Sequence, residues 1–350
     1  MALTLNVAVS NTLDMDPAWD RLVADSAIPS VFLTSGWLAA WAQTKAVEPL
    51  LAVRVRSADR LIAAAAFELG RDGIRFAGSG ASDYADVILL KTLSDADATA
   101  ALRQLLLAAT RATPAAQDFD LRRMPHDSRT AKLLDGTGFF GTRAAGVEAP
   151  WMCMSAAAEK LRKKSLIRHE RGLEKRGTLG CTTWRHATDV LPRLDEFFAL
   201  HVKRWHDTHS PSLFLQPQNQ AFYRAATEHL DRLGALRYTE LRLDRRLVAA
   251  HYGFSWLGRF TWYKPCFDTD LAKLSPGEVL IKRLIEQAQL EQAACFDFTI
   301  GNEAFKHRFA THVPAVINAH VTHSRLGAQI RRARRMVHRA LNGRPLKTAG

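Results

Sequence analysis

Long apolar runs are what this chain of 350 residues most obviously lacks. No stretch approaches the ~20 apolar residues that a membrane-crossing helix needs. Met1–Ser10 has no basic start followed by an apolar core, so neither a signal peptide nor a transmembrane helix is expected. Cysteine is scarce. The four present, Cys153, Cys181, Cys266 and Cys295, are scattered without a CxxC pair. That excludes a disulfide framework or cysteine-based zinc site and fits reduced thiols in a cytoplasm. His201, His206 and His209 do not share one helix face, so no metal site is expected. Acidic residues are also few, 35 against 48 lysines and arginines, for a net charge of +13. Basic surfaces attract nucleic acid, anionic lipid and phosphate-bearing small molecules alike. The excess is concentrated in Lys160–Arg176 and Arg325–Lys347, so it describes local surfaces.

What is present is a 47% apolar content, enough for about two domains with real cores. Asp16-Pro17 opens a short helix, and a second begins near Thr34 or Ser35 with Trp37 and Trp41 inward. Leu50–Val55, Leu61–Phe67 and Ile74–Ala77 read as strands, followed by a helix capped by Ser94, a strand at Phe119–Met124 and a short helix from Ser128. The second half repeats the plan. It has helices near 192–209 and 218–233, three close strands (Leu236–Leu243, Leu247–Trp256, Arg259–Phe267) and a final strand at Ala315–His323. The hairpins 51–64 and 237–250 look alike, each a strand, a polar turn and an apolar strand of small residues. That is the mark of a duplication, although any two amphipathic hairpins share much of it.

The most informative stretch is 275–306. Ser275 is expected to cap a helix, with Pro276 at the first helical position and Glu278 closing a capping box. Behind it Leu280, Leu284 and Ala288 repeat at helical spacing, widened by Ile281 and Ile285. A strand is expected over Cys295–Ile300, closed by Gly301. A glycine-bearing turn at a helix start presents free amides and the positive end of the helix dipole, which suits a pyrophosphate. An ordinary capped helix gives the same local pattern.

The Ser275-Pro276-Gly277 turn, the Asp297-Phe298-x-x-Gly301-x-Glu303-x-Phe305-Lys306 run and the upstream Arg204-Trp205 pair together resemble the GNAT-like acyltransferases of the CelD/BcsL and FemAB-like group. The resemblance is weak before residue 160 and specific over 160–315. It implies an α/β (α+β) fold of two tandem GNAT-like domains, each a mixed, mostly antiparallel sheet flanked by helices. Residues 1–150 would form the first domain, lacking the SPG turn. Residues 151–323 would form the acyltransferase domain, and 324–350 a basic amphipathic tail. It further implies an N-acyltransferase that moves an acyl group from acyl-CoA, acetyl-CoA first, to an amine of a sugar or cell-envelope/exopolysaccharide precursor, without a metal. Ser275, Pro276 and Gly277 would grip the cofactor, with Tyr263, Lys264 and Asp268 along its thioester arm. The loop Asp268–Leu274 is polar enough to move.

Lys306 is the first candidate catalytic residue, supplying charge to an oxyanion; a solvated surface lysine is the alternative. Asp297 and Glu303 are candidate bases, or groups that orient Lys306 or Arg204. His251 interrupts a small-residue strand and reads equally as a base or a hydrogen-bonded core histidine. Arg204, Trp205 and Arg168 are candidate substrate contacts, although packing is the ordinary role of the tryptophan. The basic run 160–176 is either a solvated face or a contact for a nucleotide- or lipid-linked sugar. The tail over 325–347 suits peripheral contact with the inner face of a membrane or with a polyanion, a cyclic-dinucleotide effector ranking lower and a frayed end being the plainest account. Two rival functions stand beside this one. An aminoacyl-tRNA-dependent ligase of FemAB type would use the basic surface, but no long heptad insertion is present. A non-catalytic nucleotide- or nucleic-acid-binding protein would keep only the scaffold, and nucleic acid is not the expected partner.

Overall fold

The computed structural model describes residues 3–45, 50–70, 73–114, 116–208 and 210–324. The basic tail expected to dock on membranes or polyanions, like His209, lies outside the described residues. In the first half the strands are β1 (Leu5–Ser10), β2 (Leu50–Ser57), β3 (Arg60–Gly70), β4 (Gly73–Phe76), β5 (Ile88–Leu89), β6 (Asp118–Met124) and β7 (Phe140–Glu148). The second half has β8 (Trp151–Cys153), β9 (Leu179–Trp184), β10 (Leu236–Leu243), β11 (Arg246–Trp256), β12 (Arg259–Phe267) and β13 (Cys295–Asp297), and β14 (Ala315–Thr322) ends the described chain. The architecture is mixed α/β, two sheets flanked by helices, as expected.

The two sheets repeat one order. The first runs β1-β2-β3-β4-β6-β14-β7, with β5 paired to β3, and the second runs β9-β10-β11-β12-β13-β8. In each, four antiparallel strands lead through a helix to a strand parallel with the fourth: Asp95–Ala112 connects β4 to β6, and Pro276–Leu290 connects β12 to β13. The end strands are interleaved. β14, expected to finish the second domain, lies between β6 and β7 in the first sheet, while β8 pairs with β13 in the second. A boundary drawn at 151 and 323 therefore does not separate the sheets, because the apolar strand 315–322 finds its open edge in the first half.

Local sequence accounts for most elements. Asp16 Oδ1 accepts the amides of Ala18 and Trp19 at the start of the Pro17–Ala24 helix, and Ser94 caps the Asp95–Ala112 helix through the Asp97 amide. Leu257 and Gly258, at φ of 47° and 79°, give the β11–β12 hairpin two consecutive left-handed residues, the geometry of a tight type I′ turn. One core joins the halves. The Ser35–Lys45 helix packs on the Pro217–Arg232 helix, where Trp37 meets Phe222 edge-on at 4.9 Å and His229 Nε2 lies 2.9 Å from Thr34 Oγ1. The other core lies between the second sheet and the Pro276–Leu290 helix, which buries Val279, Leu280, Ile281, Leu284, Ile285 and Ala288. Each fully buried aliphatic side chain there contributes about 1.5–3 kcal/mol.

Three local expectations fail. Ser275 does not form a capping box: it is left-handed (φ 53°, ψ 51°) and its side chain makes no cap bond. It closes a 3-10 turn, Thr269–Leu274, so its Oγ is turned from the helix start while its carbonyl accepts the Glu278 and Val279 amides at 2.9 and 3.3 Å. The Glu278 carboxylate instead meets His169 Nδ1 at 3.0 Å and pairs with Arg308. The strand expected over 295–300 stops at Asp297, since Thr299 is left-handed (φ 57°) and the Phe298 and Gly301 amides turn to the carbonyls of Pro150 and Glu148. The Asp268–Leu274 loop is held by ion pairs: Asp268 accepts from Lys203 at 2.7 Å and Arg246 Nε at 2.8 Å, and Lys203 also reaches Asp270.

Candidate functional site

The site begins where two parallel strands part. β12 pairs with β13 only through Arg259–Thr261 and Cys295–Asp297. Beyond that point Trp262–Phe267 keeps β11 on one side and, among the described residues, has no strand on the other. A cleft of about 620 Å³ opens there, between this free edge, the start of the Pro276–Leu290 helix and the segment Thr299–Phe309. The end of the Leu194–Trp205 helix brings His201, Arg204 and Trp205 to its rim, and Asp83 enters from the first half.

Lys306 lines the cleft and is not a surface lysine, being only 3% exposed. Its ammonium donates to the Ile300 carbonyl at 2.6 Å and lies 3.0 Å from Glu303 Oε2. Glu303 is half exposed on the cleft wall. Phe305 meets Trp262 edge-on at 5.9 Å and fixes the start of the Ala304–Phe309 helix. Lys264 is a second lysine in the cleft. Burial holds its ammonium below the usual lysine range, Asp83 opposes that shift, and Arg123 and Lys306 reinforce it. Asp83, 8% exposed, makes no hydrogen bond or ion pair among the described residues. A buried carboxylate without a partner, set in a cleft opposite lysines, is a functional candidate.

Ser275 and Gly277 also line the cleft. A Cβ on Gly277 would stand 3.2 Å from the Phe267 ring, so glycine permits the close approach of helix start and strand end. The Arg204 guanidinium rests 4.5 Å above that ring and 5.4 Å from Trp205. No carboxylate among the described residues pairs with it. Trp205 Nε1 is buried without an acceptor. His201 Nδ1 lies 2.8 Å from Ser212 Oγ, and burial, with Lys264 nearby, pushes its pKa down to about 3.

Other expected site residues lie elsewhere. Asp297 is fully buried outside the cleft, holding Tyr84 OH at 2.9 Å, Arg259 at 2.8 Å and the Thr299 amide at 2.8 Å. Its oxygens are committed to joining the halves, and it is not placed as a base. His251 is a core histidine. Its Nε2 accepts the Tyr263 amide at 3.1 Å across the bulge in β11, and burial pushes its pKa down to about 3. Asp268 belongs to the ion-pair cluster described above. Pro276 is buried and does not line the cleft. Tyr263 lines it, but its hydroxyl donates to the Ala81 carbonyl and accepts from Tyr223 OH at 2.8 Å, so it ties the first-half loop down and has no proton to offer a cofactor. Arg168 is exposed on the Lys164–Glu174 helix outside the cleft; its neighbour His169 is the residue that turns inward. Sequence reading missed Asp83, His201 and Ser212. The Gly78-Ser79-Gly80 turn just before Asp83 was the available signal.

Residues 160–307 match the family model described as an acetyltransferase (GNAT) domain. No curated protein matches the sequence. Among solved structures, FemX is similar at 11% identity over 86% of this chain and 94% of that one, with a TM-score of 0.61. The L-PGS of Bacillus licheniformis is 12% identical over 89% and 93% of the two chains, TM-score 0.57. The C-terminal (DUF2156) domain of a putative lysylphosphatidylglycerol synthetase from Agrobacterium fabrum is 14% identical over 79% and 85%, TM-score 0.51. These likenesses show a shared fold.

Proposed function

We propose that the chain is an N-acyltransferase taking its acyl group from an acyl-CoA, acetyl-CoA first, and delivering it to an amine of a sugar or cell-envelope/exopolysaccharide precursor, as in the CelD/BcsL group it resembles. The observation that carries this reading is the parting of β12 from β13 directly beside a helix start, with Lys306, Lys264 and Asp83 gathered around the gap. The residues fit the donor. Gly277 leaves the helix start open, Arg204 has an unspent charge over Phe267, and Trp205 offers an orphaned N–H. Glu278 would repel a phosphate, but His169 and Arg308 already engage its carboxylate.

Gly277 and Arg204 would hold the phosphates, and the free edge Trp262–Phe267 the thioester arm. When bound, the donor supplies a thioester carbonyl activated toward amines. Asp83 holds the acceptor's ammonium and takes its proton, so that the amine arrives with a free lone pair. Lys306, preorganised by the Ile300 carbonyl and Glu303, supplies positive charge where an oxyanion develops. Glu303, half exposed, keeps that ammonium in place. Incubating the protein with acetyl-CoA and a panel of amino-sugar nucleotides, and weighing each by mass spectrometry, tests the proposal. An added acetyl group on one member supports it; thiol release with no acylated acceptor in any member contradicts it.

A second reading, transfer of an aminoacyl group from charged tRNA, draws on the basic Lys164–Glu174 helix, which packs against the Pro276–Leu290 helix beside the cleft. Thermal stabilisation by charged tRNA and not by CoA would favour it.

A further inference from the structure

The first sheet contains the same parting of strands. β4 and β6 pair in parallel at just two positions, Ile74 with Phe119 and Arg75 with Asp120, and then diverge. A cavity of about 310 Å³ lies at that divergence, with Phe76–Ser79 on one wall and Asp120, Arg122 and Arg123 on the other. The duplication has therefore produced two clefts at one topological position. They differ chemically. The Asp95–Ala112 helix, the counterpart of Pro276–Leu290, starts with Ser94 as cap and Asp95 and Asp97 in its first turn, and its start does not reach this cavity. No helix dipole serves a pyrophosphate here, and the space is half that of the other cleft.

What the cavity does hold is cationic. Arg75 and Arg122 are matched by Glu68 and Asp120 at 2.5 and 2.7 Å. Arg123 pairs with no carboxylate among the described residues. It is held in a left-handed backbone (φ 64°), a costly state for a residue with a side chain. Asn318 Oδ1 accepts its amide at 3.0 Å and the Ser82 carbonyl accepts one guanidinium N–H at 2.7 Å, leaving further N–H groups unspent. Opposite it, the amides of Gly78 and Ser79 donate to no backbone carbonyl among the described residues, and Gly78 is left-handed (φ 89°). An uncompensated guanidinium facing a glycine turn with free amides is the donor set of an oxyanion site.

We propose that this first-half cavity binds a small phosphate monoester, with Arg123 as its charge partner and the Gly78–Ser79 turn as the opposing wall. The site does not depend on acyl transfer in the other half. It does share a wall with it, because Ser82, held by Arg123, precedes Asp83 in the chain.

The test is calorimetric titration of the full chain with inorganic phosphate and with a hexose 6-phosphate, each in saturating CoA so that the larger cleft is filled. Arg123→Gln keeps a donor for the Ser82 carbonyl and removes the charge; binding should weaken about tenfold or more. Ser79→Glu sets a carboxylate on the exposed wall without touching Arg123 and should abolish binding, which keeps the test valid should Arg123→Gln misfold. Arg103→Gln, exposed on the Asp95–Ala112 helix and lining neither cavity, should change nothing. Undiminished binding in Ser79→Glu, loss of binding in Arg103→Gln, or no binding by the parent would each overturn the proposal. Since none of these readouts uses acyl transfer, failure here leaves the proposed activity standing, and the reverse holds too.

Discussion

A Cβ on Gly301 would stand 2.6 Å from the ammonium of Lys306 and 2.2 Å from Glu303 Oε2. The glycine is thus what allows a buried lysine to sit against the Ile300 carbonyl, and its φ of 133° is open to few other residues. Gly301→Ala should cost about 1–3 kcal/mol through backbone strain and lower turnover more than donor binding. Denaturant melts alongside steady-state kinetics check it; a normal turnover number would mean that the pair tolerates displacement.

The contrast between that turn and its neighbours marks how far sequence carries. Gly301, Phe305 and Lys306 could be read as a unit because their spacing is local. Pro276 at a helix start was equally plain, yet the capping box beside it was not formed, since the preceding 3-10 turn, set by Asp268 and its ion pairs, delivers Ser275 in a left-handed state. Asp297 looked like a reactive carboxylate because an acid in an apolar strand demands a partner. Its partners, Tyr84 and Arg259, come from distant segments that no local pattern reveals. Asp83 is the same problem reversed: it is 223 positions from Lys306 (306 − 83), and only the shared core places it in the cleft. The placement of β14 in the first sheet was invisible for the same reason.

Asp83→Asn should keep the fold and lower kcat/KM by about 100-fold or more, the usual worth of a positioned base. Asp83→Glu should restore part of the rate. A parental rate in Asp83→Asn would return the proton to solvent or to Glu303.

Gly277→Val should push Phe267 aside and with it Arg204, weakening CoA binding by about tenfold or more while the buried stripe of the Pro276–Leu290 helix persists. Calorimetry on the variant decides. Parental affinity would move the phosphates away from this turn.

Three buried histidines set the acid stability. Burial pushes His201 and His251 down to about 3 and His229 to about 4, whereas an unfolded histidine titrates near 6.5. The unfolded chain therefore binds more protons between these values, and stability should fall as pH drops below about 6.5 and keep falling toward about 3–4, by up to about 1.4 kcal/mol per pH unit for each group. Denaturant midpoints across that range measure the slope. His251→Gln, which keeps an acceptor for the Tyr263 amide, should make it shallower.

In the proposed mechanism Lys306 stabilises charge that appears only during transfer. Lys306→Met keeps the stem's bulk and removes the ammonium. Single-turnover acyl transfer and CoA binding, measured on the same preparation, test it directly. The expected result is transfer slowed by about 100- to 1,000-fold with CoA binding near the parental value. Transfer at the parental rate would contradict the account and leave Lys264 or Asp83 to carry the chemistry.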